Sequence, residues 1–385
     1  MVEVPEIDLS DPTVLADPFT AYGRARERGP VARLLIPGFG VMWAVTRYGD
    51  AKAVLADSRF AANANSYLRP DVPEHCLKYM RTMHEMNGPE HARLRRLVAP
   101  SFTARRAARF RPRIERIVDA LLDPLAGQDT IDLVADFARP LPIDVIGELI
   151  GIPPEARPAW RGYGAAVAAG HGDAFAEAVP AIMRDAIAAV AHRTREPGAD
   201  LLSELIGHQN GLGEDELVTL VWNLILAGQV TALLIANAVQ ALLEHPDQLA
   251  ALRADETLMP RAVDELTRWC GPQLLSLPRY ADDDAEIAGV PIAKGERVVA
   301  ALACANRDPR AFTDPERLDL GRQPAHLSYA HGPHFCLGAA LARVQTDVAL
   351  TALLRRFPAL ALSDGGARRS PDPGTWRLTA LTVTV

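Results

Sequence analysis

Tyr329-Ala330-His331-Gly332-Pro333-His334-Phe335-Cys336-Leu337-Gly338 runs directly into AALARVQTDVALTALL, a helical pattern, so its one cysteine stands at a loop-to-helix junction. A helix start presents unsatisfied backbone N–H groups and the positive end of the helix dipole, and both favour a thiolate over a thiol. Gly332 and Gly338 let backbone lie close to a flat ligand. The other cysteines, Cys76, Cys270 and Cys304, have no such setting and read as small buried hydrophobes. No two of the four are spaced as a CxxC-type ligand pair.

Outward from this stretch, Glu265-Leu266-Thr267-Arg268 sets a carboxylate and a guanidinium one turn apart on a helix. Such a pair is ordinarily a solvated surface contact worth little. His91 and Arg95, at i and i+4, share one helix face. The run Glu214 to Glu244 would make ~46 Å of helix at 1.5 Å per residue, long enough to cross the centre of the molecule. It carries Ala227-Gly228-Gln229-Val230-Thr231-Ala232, in which the threonine either bonds its own i−4 carbonyl or does something else.

Together these segments resemble the cytochrome P450 family. Its cysteine loop, Phe-x-x-Gly-x-x-x-Cys-x-Gly, is matched by Tyr329, Gly332, Cys336 and Gly338, with Tyr in place of Phe. Its Glu-x-x-Arg is matched by Glu265 and Arg268, and its oxygen-activation motif by Ala227 to Ala232. Pro142 to Leu149 and Asn306-Arg307-Asp308-Pro309 also look like family segments, so the likeness spans the chain.

The resemblance implies a mainly α fold with a minor β portion, a long central helix over the cofactor, and haem b (iron protoporphyrin IX). It makes Cys336 the iron ligand, puts Tyr329 and Gly338 against the haem, and offers His91, Arg95, Arg279 and His334 to the propionates, which need cationic donors when buried. Arg322 joins Glu265 and Arg268 in a triad bracing the cysteine loop. Thr231 handles protons, and Gly228 opens the central helix into a groove. Two positions depart from the family: Val230 stands in the place of an acid and Ala232 in that of a second Thr. Proton delivery then falls to Thr231, Gln229 and water, or to the substrate itself.

Composition agrees with a large globular chain: 385 residues, 49% hydrophobic, net charge −7. No linker, charge block or repeat interrupts it, so a single domain over 1–385 is expected. A β-hairpin is predicted over Val31 to Thr46. Helices are predicted over Glu90 to Phe102, Arg109 to Leu125, Pro142 to Ile150, Asp173 to Arg195, Glu214 to Glu244, Arg261 to Cys270 and Leu337 to Phe357. Strands are predicted near Ile287 to Val299 and Thr375 to Val385. Strand–helix alternation of the kind a parallel sheet needs is missing. Polar Gln229, Thr231, Asn237 and Gln240 argue against a membrane span in the central helix. The acidic, proline-broken start does not read as a secretory signal, and few cysteines suit a reducing compartment, so a cytoplasmic protein is expected. Lysine occurs only at 52, 78 and 294, the usage of a high-GC bacterium.

Arg93, Arg95, Arg96, Arg105, Arg106, Arg109, Arg111, Arg113 and Arg116 form a basic stretch in an acidic protein. Without aromatics for base stacking it does not read as a nucleic-acid site. The resemblance makes it the docking face of a ferredoxin, itself reduced by a ferredoxin reductase. Substrate contacts are expected from residues 63–86 and 166–180, from Asn223 and Leu226, from Gln273 to Leu277 with Gln273 and Leu275 foremost, and from Thr375-Trp376. The activity implied is oxidation of a small apolar or aromatic molecule in bacterial secondary metabolism. The missing acid at Val230 raises an alternative, oxidative C–C or C–N coupling or ring closure, for example of an aromatic cyclodipeptide. A non-catalytic haem protein that only binds ligands is a third reading, against which Thr231 argues.

Overall fold

The longest apolar run of the chain becomes its longest helix. Glu214–Glu244 is continuous over 31 residues. Glu214, Asp215 and Glu216 lie in its first turn, where the dipole favours acids, and Glu216 Oε2 accepts the Gly213 N–H at 2.9 Å. It ends before Pro246, which has no N–H to extend it. By length and composition this central helix could cross a membrane, but 61% of its most apolar window is buried inside the protein. Val218, Val221, Ile225, Ile235 and Leu242 carry that burial.

The computed structural model describes residues 4–36, 40–66, 72–169, 173–209 and 211–385. Residue contacts gather in two compact units, neither continuous in sequence. The first combines Met1–Tyr67, Asn237–Ala339 and Ala367–Thr379. It holds a six-stranded sheet in the order Glu6–Asp8, Val31–Ile36, Gly40–Val45, Arg297–Ala300, Arg279–Ala281, Phe60–Ala61. The predicted hairpin is its second and third strands, antiparallel with Val31 opposite Val45, and its turn at 37–39 lies outside the described residues. The short strands expected around Ile287 to Val299 are Ala285–Ile287, Val290–Ile292 and Arg297–Ala300. Ala288, Gly289 and Gly295 all take positive φ, so the chain turns twice between these strands.

The second unit combines Leu68–Ala236, Ala340–Gly366 and Ala380–Val385. Its helices begin and end at prolines and caps. The helix expected over Glu90 to Phe102 runs Gly88–Val98 and tightens to a 3₁₀ turn, Ala99–Phe102, around Pro100. The one expected from Arg109 starts at Ala104, because Thr103 Oγ1 caps it by accepting the Arg106 N–H. The tail strand, Leu378–Thr384, pairs antiparallel with Thr130–Asp132. Helices Pro18–Arg28 and Tyr48–Ala56, in the first unit, were not foreseen.

Within the first unit, Glu265 and Arg268 are fully buried and joined by two hydrogen bonds of 2.7 Å. Arg322 Nε and the Asp319 N–H donate to Glu265 Oε1 at 3.2 and 3.1 Å. Arg268 Nη1 donates to the Asn306 and Pro315 carbonyls. Asn306 in turn accepts the Leu327 N–H at Oδ1 and donates from Nδ2 to Ser328 Oγ. Removing one charge strands the other, so Glu265→Ala and Arg268→Ala should each lower unfolding free energy by ~3–5 kcal/mol. Urea titration checks this. The same variants should retain less haem per chain than Arg279→Gln, and equal retention would remove the bracing role.

Candidate functional site

The cysteine loop continues from that network. Leu327 and Ser328, tied to Asn306, lead into Tyr329, whose carbonyl accepts the Cys336 N–H at 2.9 Å. The chain between them folds back through a short 3₁₀ turn, Gly332–His334. Gly332 has φ 74°, and a Cβ there would stand 2.8 Å from Leu55 O and 2.9 Å from Ala56 Cα, so only glycine fits. The Tyr329 ring lies 5.5 Å from His326 and 6.4 Å from Phe335. Cys336 is half-buried just before helix Ala339–Arg356. The other three cysteines are buried, and desolvation pushes the Cys270 and Cys304 thiols up to about 12. Among the four, only Cys336 stands at a helix start. Among the described residues no cluster of three or more His, Cys, Asp or Glu could hold a metal ion.

Arg279 is the clearest test of whether the chain fits a haem. It is 7% exposed, burial lowers its pKa, and its hydrogen bond is to Val54 O at 3.4 Å. No carboxylate among the described residues forms an ion pair with it, although Asp57 acts on it at longer range. A buried guanidinium so placed suits a propionate. His91 is buried too, and burial followed by the Arg95 charge keeps it neutral to lower pH than usual. His334 is half-buried. A side chain at Gly338 would meet no atom within 4 Å. The residues present therefore fit the group.

The central helix divides its motif between two sides. Thr231 is 8% exposed, yet its hydroxyl makes no hydrogen bond among the described residues. Thr194, Thr219, Thr267 and Thr346 donate to their i−4 carbonyls, a bond that Thr231, like Thr351, does not make among the described residues. Ala227 is exposed, and Leu226 and Val230 are half-buried, marking an open face. Gly228 and Gln229 belong elsewhere, contrary to expectation. A Cβ at Gly228 would collide with Ile146 Cδ1, so this glycine admits helix Pro140–Ile150 rather than opening a groove. Gln229 is 6% exposed and sits by Gly164 and Ile143. Two residues turn a helix by about 200°, which puts Gln229 nearly opposite Thr231 and outside any shared proton path.

Asn223, two turns before Thr231, is buried with its Oδ1 unbonded. His84, in the 3₁₀ turn Met83–Glu85, lies against it. His84 was not singled out from sequence, because nothing in its spacing marks it; only folding brings it to Asn223. Burial drives its pKa down to about 4, the Asn223 amide partly opposing this and His91 and Arg95 adding to it. The pair presents a neutral imidazole and an amide at physiological pH. Two expected substrate residues are used for packing. Leu275 packs on the cluster of Tyr22, Leu34 and Val299. The Trp376 ring lies 5.3 Å from Phe19 and under the Arg369 guanidinium at 3.9 Å. Gln273 forms a β-bridge with Thr375. Parts of the expected lining, 67–71 and 170–172, lie outside the described residues.

A cytochrome P450 family model matches residues 182–379. Cytochrome P450 107B1 of Saccharopolyspora erythraea is 38% identical, covering 98% of this chain and 96% of its own. Mycinamicin IV hydroxylase/epoxidase of Micromonospora griseorubida is 41% identical, covering 89% and 88%. Among solved structures, the cytochrome P450 enzyme CxnD, for C–S bond formation in chuangxinmycin biosynthesis, superposes with a TM-score of 0.86 at 31% identity, over 100% of this chain and 97% of that one.

His84 makes stability depend on pH with a definite sign. Its folded pKa lies below the unfolded value, so between pH 6.5 and about 4 the unfolded chain takes up a proton that the folded one refuses. The stability His84 contributes by staying neutral is whole above pH 6.5 and lost as pH falls through about 4, amounting to at most ~3 kcal/mol. His84→Phe should therefore lose less stability than the parent between pH 7 and 4.5. Parallel urea titrations giving identical losses would contradict it.

Proposed function

Because the chain belongs to the cytochrome P450 family, and is thereby a haem b monooxygenase of bacterial secondary metabolism that oxidises small molecules, we propose how its own residues divide the work. The proposal takes residues 1–385 as one catalytic domain acting in the bacterial cytoplasm. Cys336 is the iron ligand, held as thiolate by the start of helix Ala339–Arg356. His91, Arg95, Arg279 and His334 meet the propionates, and Tyr329 and Gly338 lie along the ring. Bound haem supplies the activation of dioxygen.

The observation that carries the reading is the unbonded hydroxyl of buried Thr231. It is a donor and acceptor kept from its own helix, available to pass a proton at Oγ1. Ala227, about 40° from Thr231 around the helix, gives the same face an apolar lining, with Leu226 farther round, and Asn223 with His84 offers a polar anchor to an amide or hydroxyl of the substrate. The principal reaction is oxygen insertion into a small apolar or aromatic molecule, the type named for the mycinamicin relative. Oxidative coupling is the second reading, favoured by Val230 in the acid's place and by the C–S bond formation of CxnD. Turnover under dioxygen-18 separates them: labelled product supports insertion, and a dehydrogenated or cyclised product without label supports coupling. A non-catalytic ligand-binding role would give no product and is set aside by membership of an enzyme family.

Like its family, the chain needs an external electron donor, proposed here to be a ferredoxin served by a ferredoxin reductase. Of the basic stretch, Arg93, Arg106, Arg111 and Arg113 are already paired with Glu216, Glu204, Asp347 and Glu148. Arg96, Arg105, Arg109 and Arg116 are exposed, with no ion pair among the described residues. On helix Ala104–Leu122, Arg105, Arg109 and Arg116 fall within about 40° of one another, a single stripe.

Three outcomes follow. Cys336→Ser should abolish the red-shifted ferrous-carbonyl band of a thiolate-bound haem. Arg105→Glu with Arg109→Glu should raise the KM for ferredoxin and flatten its salt dependence, while Arg106→Glu does so less. Val230→Asp should lower product formed per NADH, because a half-buried carboxylate beside Thr231 carries a desolvation penalty and disturbs local water. Higher coupling in that variant would show that the acid was simply lost.

A further inference from the structure

A groove of ≈ 990 Å³ lies wholly within the first unit, lined by residues of helix Pro18–Arg28, the end of the central helix, and the Trp269, Arg307, Arg369 and Trp376 side chains. None of the residues proposed to hold the haem lines it. Its walls carry three aromatic rings, Phe19, Trp269 and Trp376, braced by guanidinium groups: Arg307 stands 4.0 Å over Phe19 and 4.8 Å over Trp269, and Arg369 stands 3.9 Å over Trp376.

The charges in the groove are not balanced evenly. Asp17 caps helix Pro18–Arg28, Glu27 pairs with Arg26 and Arg310, Glu316 pairs with Arg307, and Glu244 accepts from Gln240. Every acid is thus engaged, and among the described residues none forms an ion pair with Arg369, on which Glu244 acts only at longer range. That guanidinium donates to two neutral amides, Asn237 Oδ1 at 3.1 Å and Gln240 Oε1 at 2.5 Å. Asn237 is itself fixed, donating to the Cys270 and Trp376 carbonyls. Burial pulls Arg369 down to about 10, with Cys270 and Glu244 only partly opposing it. Five N–H donors with two amide acceptors leave an arginine with directed capacity for a bidentate anion.

We propose that this groove is a second small-molecule site, binding an amphipathic carboxylate whose acid sits on Arg369 and whose planar apolar body lies along Phe19, Trp269 and Trp376. Size fits as well: pockets of ~300–1,000 Å³ take small organic ligands. The volume, the aromatic walls and the unmatched guanidinium coincide in one place, and neither the family's iron chemistry nor its oxidation site uses them.

The test uses the haem-loaded protein with imidazole saturating the iron, and two probes of matched shape, 4-phenylbutyrate and its neutral amide, 4-phenylbutyramide. Calorimetry should show the carboxylate binding at least ~10-fold tighter than the amide, the worth of a charge-assisted hydrogen bond. Arg369→Gln should remove that preference. With 5-fluorotryptophan in place of all five tryptophans, the carboxylate should shift the ¹⁹F resonances of Trp269 and Trp376 and leave those of Trp43, Trp160 and Trp222. That measurement needs no variant, so it decides the matter even if Arg369→Gln fails to fold. Equal affinity for the two probes, no binding of either, or shifts confined to the other three tryptophans would overturn the proposal.

Discussion

Two opposite charges with no access to water, Glu265 and Arg268, are the constraint on which the cysteine loop depends. Each costs several kcal/mol to desolvate, and the cost is offset only if every lone pair and N–H finds a partner. The chain meets that demand with Arg322, the Asp319 N–H and the carbonyls of Asn306 and Pro315. The demand is what orders the loop. Asn306, held by Arg268, fixes Leu327 and Ser328, and Tyr329 then holds the Cys336 N–H. Cys336 is thus placed through the backbone of a loop that this network anchors.

A second constraint is the turn of the central helix. Consecutive residues of the Ala227–Ala232 motif point about 100° apart, so one short word of sequence serves two purposes. Thr231 and Val230 remain on or near the open face. Gly228 and Gln229 face the packed helices Pro140–Ile150 and Arg157–Ala169, where a missing side chain at Gly228 allows the approach of Ile146. The same arithmetic gathers Arg105, Arg109 and Arg116 on one exposed stripe, and ion pairing takes its neighbours Arg106 and Arg113 out of it, to Glu204 and Glu148.

Much of this was legible in the chain itself. The family, the cofactor, the mainly helical fold and the long central helix all rest on local patterns: a cysteine between two glycines, a Glu and an Arg one turn apart, and apolar residues at helical spacing. These are readable because chemistry and backbone geometry restrict which residue types can stand there. The hairpin and the short strands around Ile287 to Val299 were legible for the same reason, while the turn between the first two of those strands was not, because a positive φ at Ala288, a non-glycine residue, gives no signal in sequence.

Tertiary structure alone decided which candidates work together. Side-chain partners come from residues far apart in the chain, and no local pattern encodes them. Sequence put Trp376 and Leu275 in a substrate pocket, and packing gave one to Phe19 and Arg369 and the other to the sheet core. It passed over His84, which acquires its shifted pKa only when folding buries it against Asn223, and over Arg369, which is one arginine among many until folding buries it against two amides. Sequence thus determined which chemical groups are present and their order, and the fold determined which of them lose water and find partners, because desolvation is a property of neighbours in space.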